Sequence, residues 1–171
     1  DFSNMTSGSF DEIEEIRFAG ANQTGTFTGA QFTGETLLLT ETAAGTSNLI
    51  INVGSGTTAT FLNMTASTFT SGSDTITING STGNETITAP NLATTINGGN
   101  GDDTIDAGDG TDSLVGGSGN DVYLFNTNDV DSGESITEVG GGGTDVVAIV
   151  TSTDFSNMTS GSFDEIEEIR F

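Results

Sequence analysis

The chain has 171 residues, 25 of them acidic against two basic, Arg17 and Arg170, for a formal net charge of −23; it contains no Lys, His, Cys or Trp. That composition excludes a Ser-His-Asp triad, a thiol nucleophile and a conventional zinc or iron–sulfur site. Two arginines cannot neutralise a phosphate backbone, so no nucleic-acid partner is expected. The longest apolar runs (Leu37-Leu38-Leu39 and Leu49-Ile50-Ile51) are too short for a transmembrane segment, and no signal peptide is read. Leu, Ile, Val and Phe together number 40, enough for only a thin core. Abundant Thr favours strands, while Gly and Asn favour turns. The expectation is an all-β protein whose uncompensated negative charge needs an external cation.

Residues 1–18 recur without change as residues 154–171, a period of 153 residues. Identity over 18 positions is beyond composition bias, and a duplicated tag explains it less well than a tandem array of near-identical modules. One such unit carries 20 acidic residues and a single Arg. Within residues 1–79, the stretches 24–34, 37–40, 48–53 and 58–64 read as short strands of irregular solenoid coils. The acidic cluster Asp11, Glu12, Glu14 and Glu15 reads as a solvated face leading into a strand. No catalytic pair is inferred from it, and no enzymatic activity is expected.

A finer period follows. Phe69, Ile78, Ile87, Ile96, Ile105, Leu114 and Tyr123 are spaced by nine residues. From Gly98 the rest of the pattern fills in. Gly98-Gly99-Asn100-Gly101-Asp102-Asp103-Thr104-Ile105-Asp106 is followed by Ala107-Gly108-Asp109-Gly110-Thr111-Asp112-Ser113-Leu114-Val115. Gly116-Gly117-Ser118-Gly119-Asn120-Asp121-Val122-Tyr123-Leu124 completes the block, and Gly80 to Thr88 is a degenerate copy in the same phase. Each nonapeptide divides into a Gly/Asp turn and a short strand with its apolar residue pointing inward. Glycines permit positive φ and leave carbonyl oxygens free, and the Asp adds a carboxylate. An all-oxygen site of this kind suits Ca²⁺.

The nonapeptides resemble the repeats-in-toxin (RTX) motif GGxGxDxUx, where U is a large apolar residue. The resemblance implies a right-handed parallel β-roll with two nonapeptides per coil and Ca²⁺ between turns stacked 18 residues apart. The turn containing Gly98, Asn100, Asp102 and Asp103 then stacks on the turn containing Gly116, Ser118, Asn120 and Asp121, with Asp103 and Asp121 as carboxylate ligands. On the opposite edge Asp109 and Asp112 are expected to meet Asn126, Asn128 and Asp129, since residues 89–94 contain no acid and carry the only proline, Pro90. A weaker site joins Glu85 to Asp103. The segment Asp121-Val122-Tyr123-Leu124-Phe125, followed by Glu138 and Gly143-Thr144-Asp145, is similar to sequences that follow RTX blocks, and implies Glu138 and Asp145 as further ligands.

These readings divide the chain into irregular coils (1–79), a nonapeptide β-roll (80–124), flanking strands (125–153) and the start of the next repeat (154–171). The function expected is a structural, calcium-binding repeat of a long extracellular bacterial surface or matrix fibre, an adhesin, S-layer or filament unit. Its expected partners are neighbouring copies, end to end, with lateral association into fibres or a lattice. The rival readings are an accessory secretion and folding domain of a secreted enzyme, or an ice- or carbohydrate-binding solenoid. Residues 146–155 contain no Gly or Pro and read as a strand entering the next copy, with Val147, Ile149, Phe155, Phe2 and Ile16 at the junction.

Overall fold

The structure, a computed structural model, describes residues 13–69, 73–138 and 142–171. Phe2, Asp11 and Glu12 therefore lie outside the described residues. The chain winds into a solenoid in which all paired strands are parallel. After β1 (Glu15–Phe18) each early coil has three sides. The first coil is β2 (Thr24–Thr28), a four-residue helix α1 (Gly29–Phe32) and β3 (Leu37–Glu41); the second is β4 (Asn48–Asn52), β5 (Thr58–Thr60) and β6 (Met64–Ala66). From there each coil has two sides. β7 (Thr75–Asn79) precedes β8 (Thr86–Thr88), and β9 (Thr95–Asn100) precedes β10 (Thr104–Asp106). β11 (Ser113–Ser118) precedes β12 (Val122–Phe125), and β13 (Ser135–Thr137) precedes β14 (Val146–Ile149). A 3-10 turn (Phe155–Asn157) and β15 (Glu168–Arg170) complete the described chain.

Three sheets result. Sheet 1 has the order β13-β11-β9-β7-β4-β2, sheet 2 the order β15-β14-β12-β10-β8-β5, and sheet 3 the order β1-β3-β6. The nine-residue apolar period acquires a simple meaning: successive members fall alternately on sheets 1 and 2. Phe27, Ile51, Ile78, Ile96, Leu114 and Ile136 lie in one register row of sheet 1. Ala59, Ile87, Ile105, Tyr123 and Val147 form the facing row of sheet 2. All eleven are buried. Similar neighbours above and below give each side chain a matching surface, and this stacking is the main apolar stabilisation the thin core can supply.

Several local readings are corrected. Residues 24–34 are not one strand, because the chain leaves β2 for α1. The Gln31 side chain accepts the Thr28 N–H at 2.7 Å and the Thr28 hydroxyl at 3.1 Å, which closes a capping box. Residues 58–64 divide into β5 and β6 around a turn. Phe69 belongs to the core but not to the nine-residue stack: the sheet 2 partner of Ile87 is Ala59, and Phe69 instead meets Phe18 with ring centroids 5.4 Å apart. An extra third side in the early coils lengthens them, which removes Phe69 from the phase. The segment 146–155 is likewise not a continuous strand, since β14 ends at Ile149 and Val150 is exposed.

The tight turns depend on glycine where one coil rides on the next. Gly119 has φ +130°, and a Cβ placed there would overlap the Gly101 carbonyl oxygen of the coil below. Gly34 also has positive φ (+80°) but faces open space. Gly119→Ala therefore combines backbone strain with a clash against backbone, and should cost more than about 3 kcal/mol, against about 1 kcal/mol for Gly34→Ala. Urea unfolding in Ca²⁺ measures both; equal losses would contradict the close coil-to-coil approach.

Candidate metal centre

From β8 onward the strands are entered through a polar residue placed two positions before the inward apolar residue, and in most of them that residue is an acid. Glu85, Asp103, Asp121, Asp145 and Glu167 occupy this place before sheet 2; Thr94, Asp112 and Glu134 occupy it before sheet 1. Because the coils are in register, these side chains stack into two rows. Each acid uses one oxygen to accept a backbone N–H from the coil below. In the sheet 2 row, Glu85 accepts from Gly56 (2.7 Å), Asp103 from Glu85 (2.7 Å), Asp121 from Asp103 (2.8 Å), Asp145 from Asp121 (2.9 Å) and Glu167 from Asp145 (2.7 Å). In the other row Asp112 accepts from Thr94 (2.6 Å) and Glu134 from Asp112 (3.0 Å); Asp74 accepts from Ser47 (2.9 Å) but stands out of this row, because Thr77 rather than Thr75 pairs with Thr95.

The second oxygen is the informative one. Asp103 Oδ2, Asp121 Oδ2, Glu138 Oε2, Asp112 Oδ2 and Glu134 Oε1 are buried with no hydrogen-bond partner among the described residues. The described ion pairs, Arg17–Glu15 and Arg170–Glu168, lie on exposed strand faces and leave these oxygens without a counter-charge. Burial pushes Asp103 and Asp121 up to about 6, Asp112 to about 7 and Glu134 to about 8; hydrogen bonds from the coil below oppose this, and neighbouring carboxylates reinforce it. Burial likewise raises Glu138 and Asp145. Rows of buried, unpaired carboxylate oxygens are costly unless a proton or a cation meets them.

Further oxygens lie close to these carboxylates. A Cβ on Gly98 would sit 2.6 Å from Asp103 Oδ2 and 2.6 Å from the Gly116 carbonyl oxygen, and one on Gly116 would sit 2.5 Å from both Asp121 Oδ2 and the Tyr123 hydroxyl. Only glycine lets these oxygens approach the turn so closely. Carboxylate oxygens of Asp121, Glu138 and Asp145 lie within 4.8 Å of one another. Tyr123 donates its hydroxyl hydrogen to Glu138 Oε1, which holds that carboxylate over the row. Carboxylates plus carbonyls, without nitrogen or sulfur, form a hard-oxygen donor set, so the residues fit Ca²⁺.

The sequence-derived candidates separate into two groups. Glu85, Asp103, Asp112, Asp121, Glu138 and Asp145, with the Gly98 and Gly116 turns, belong to the rows or their mouths. Asp102 and Asn120 are exposed and form an outer row that runs the opposite way: Asn84 accepts from the Asp102 N–H, Asp102 from Asn120, and Asn120 from Thr144. Asn100 and Ser118 are exposed, and their backbone groups serve the ladder between turns. Asp109 is half-buried and belongs to neither row. The stacking partner of Asp112 is Glu134, not Asp129, because the intervening coil is longer than 18 residues. Asp129 is buried but closes its own turn by accepting the Asn126 N–H. Glu134, Asp74 and Glu167 escape the nonapeptide count, although each stands two residues before an inward apolar residue.

Fold and donor set together define a parallel β-roll with oxygen-lined metal sites between its turns. Residues 92–123 match the RTX calcium-binding nonapeptide repeat (4 copies). No curated protein and no solved structure matches the chain.

Because Asp121 has two separate tasks, they can be separated chemically. Asp121→Asn keeps an oxygen for the Asp103 N–H but replaces the unpartnered oxygen by an amide nitrogen. It should keep that coil-to-coil hydrogen bond and lose calcium affinity by about tenfold or more. Asp121→Ala should lose both. Calorimetric titration and thermal melting of the two variants decide this; wild-type affinity in Asp121→Asn would remove Asp121 from the site.

Proposed function

We propose that this chain is a structural, calcium-loaded repeat of a long extracellular bacterial surface or matrix fibre, an adhesin, S-layer or filament unit, with no catalytic role. The observation that carries the reading is the pair of carboxylate rows, in which Asp103, Asp121, Asp112 and Glu134 each have one oxygen satisfied by a backbone N–H and one bare. Ca²⁺ supplies the positive charge that the bare oxygens lack. Asp103, Asp121, Asp145 and Glu138 hold it on one edge, and Asp112 with Glu134 on the other. Coupling each ion to two stacked coils makes ion binding part of folding free energy. The 153-residue identity between the two ends supports serial use of the unit. The chemistry of the sites supports an extracellular setting, where calcium is abundant. Among the described residues no helix is long and apolar enough to cross a membrane.

The raised carboxyl groups give the pH dependence a definite sign. Their pKa values are higher folded than unfolded, so proton binding stabilises the metal-free fold. That stabilisation is complete below about pH 4, the ordinary carboxylate range, and is lost as pH rises through 6 to 8. In EGTA the chain should lose β structure at pH 8 and regain part of it at pH 5. In Ca²⁺ it should be folded at pH 8, with calcium affinity falling towards pH 5 as protons compete. Circular dichroism melts across this grid test the proposal. An unchanged β spectrum and melting temperature in EGTA at pH 8 would sink it.

A further inference from the structure

One segment of this chain is present twice, and its two copies occupy different places in the fold. Residues 13–18 and 166–171 have the same sequence. The first copy contains β1, at the edge of sheet 3, paired with β3; the second contains β15, at the edge of sheet 2, paired with β14. Among the described residues each strand thus has one neighbour and one open edge. The groups used by the two copies do not overlap. In the second copy the Glu168 N–H donates to the Asp145 carbonyl at 3.2 Å, and Glu167 Oε2 accepts the Asp145 N–H. In the first copy the carbonyl of Glu14, the counterpart of Glu167, accepts the Leu38 N–H at 2.9 Å. The carboxylate of Glu15, the counterpart of Glu168, accepts the Thr40 hydroxyl at 2.5 Å. One strand can make both sets at once.

Side-chain direction agrees with the hydrogen bonds. Ile169 lies opposite Val147, and its counterpart Ile16 lies opposite Leu39; Val147 and Leu39 are fully buried. In the second copy Ile169 is 49% and Phe171 99% exposed, whereas in the first Ile16 packs on the core and Phe18 is buried against Phe69. The open edge of β1 in turn borders a cleft of about 550 Å³ lined by Ile13, Ile16, Phe18 and Phe27.

We propose that the duplicated segment is a splice strand, paired with β14 of one repeat on one side and with β3 of the next repeat on the other. Sheet 2 of each repeat then continues as sheet 3 of its successor, through the inward row Val147, Ile169, Leu39 and Ala66. In the successor α1, which touches β5, starts a new sheet 2, while sheet 3 ends at β6. The three-sided coils are the overlap between an outgoing sheet and an incoming one. The partner surface is therefore a second copy of this chain, joined through a shared strand, and no flexible linker separates the modules. This inference rests on the serial-repeat reading above and specifies the contact that reading requires.

The absence of cysteine allows a direct test by thiol labelling in Ca²⁺. Ile169→Cys in the 171-residue chain should label rapidly. The same substitution at the join of a two-repeat chain (residues 1–171 continued by 19–171) should label about tenfold or more slowly, because the side chain is now covered. Arg170→Cys, facing outward, should label at equal rates in both. Equal rates for Ile169→Cys would overturn the splice. As a second variant, Ile169→Asp should leave melting of the 171-residue chain unchanged and split the single transition of the two-repeat chain into two; no effect there overturns the proposal as well. Small-angle scattering of the unsubstituted two-repeat chain separates the failures. Two independently moving modules would reject both the serial rod and the splice, whereas a rigid rod in which Ile169→Cys stays unprotected rejects the splice alone.

Discussion

The structure depends on how a carboxylate divides its two oxygens between a backbone and a cation. In each coil of the roll, one oxygen of the acid at the strand entrance accepts an N–H from the coil below, and this fixes the distance and register between coils. The other oxygen is then held in a buried position without a protein partner at Asp103, Asp112, Asp121 and Glu134. A neutral residue could satisfy the N–H, as an Asn side chain does in the outer row at Asn84 and Asn120. Only an acid also leaves a charged oxygen, here packed close against a glycine of the turn. The arrangement is therefore incomplete as a protein-only core and complete once positive charge is added.

The rest of the fold follows from keeping those rows in register. Parallel stacking places like residues over like, so Ile51, Ile78 and Ile96 stack in sheet 1 and Ile87 on Ile105 in sheet 2, and Asn52, Asn79 and Asn97 bond side chain to side chain along the outer face of sheet 1. Glycine is required at turns such as Gly119 because the neighbouring coil passes too close for a Cβ. The two ion pairs remain local to β1 and β15, within Glu-x-Arg, and add little to stability at exposed positions. Apolar burial alone supports a narrow core, and the charge of −23 makes the metal-free chain repel itself.

Much of this is legible in the sequence, for a specific reason. Between residues 78 and 123 the coils are 18 residues long, so a nine-residue period locates both the inward residues and the acids Asp103, Asp112 and Asp121. Where coil length changes, counting fails. Phe69 leaves the phase because the preceding coil has three sides, and counting pairs Asp129 with Asp112 where Glu134 takes that place. A length-independent signal exists: an acid two residues before an inward apolar residue, as in Glu134-Ser135-Ile136, Asp74-Thr75-Ile76 and Glu167-Glu168-Ile169. The helix α1 is hidden because its capping box joins Thr28 to Gln31, a pair whose meaning depends on backbone geometry. The different places of β1 and β15 cannot be read at all, since their sequences are identical and their neighbours decide the sheet.

The central claim is that the bare carboxylate oxygens are the metal ligands. A crystal structure of the calcium-loaded chain, with ions located by anomalous scattering, tests it most directly. The account predicts calcium about 2.3–2.6 Å from Asp103 Oδ2, Asp121 Oδ2 and Glu138 Oε2, with the hydrogen bonds from the coil below retained. Ions bound only at exposed acids such as Asp102, with those buried oxygens still unpartnered, would contradict it.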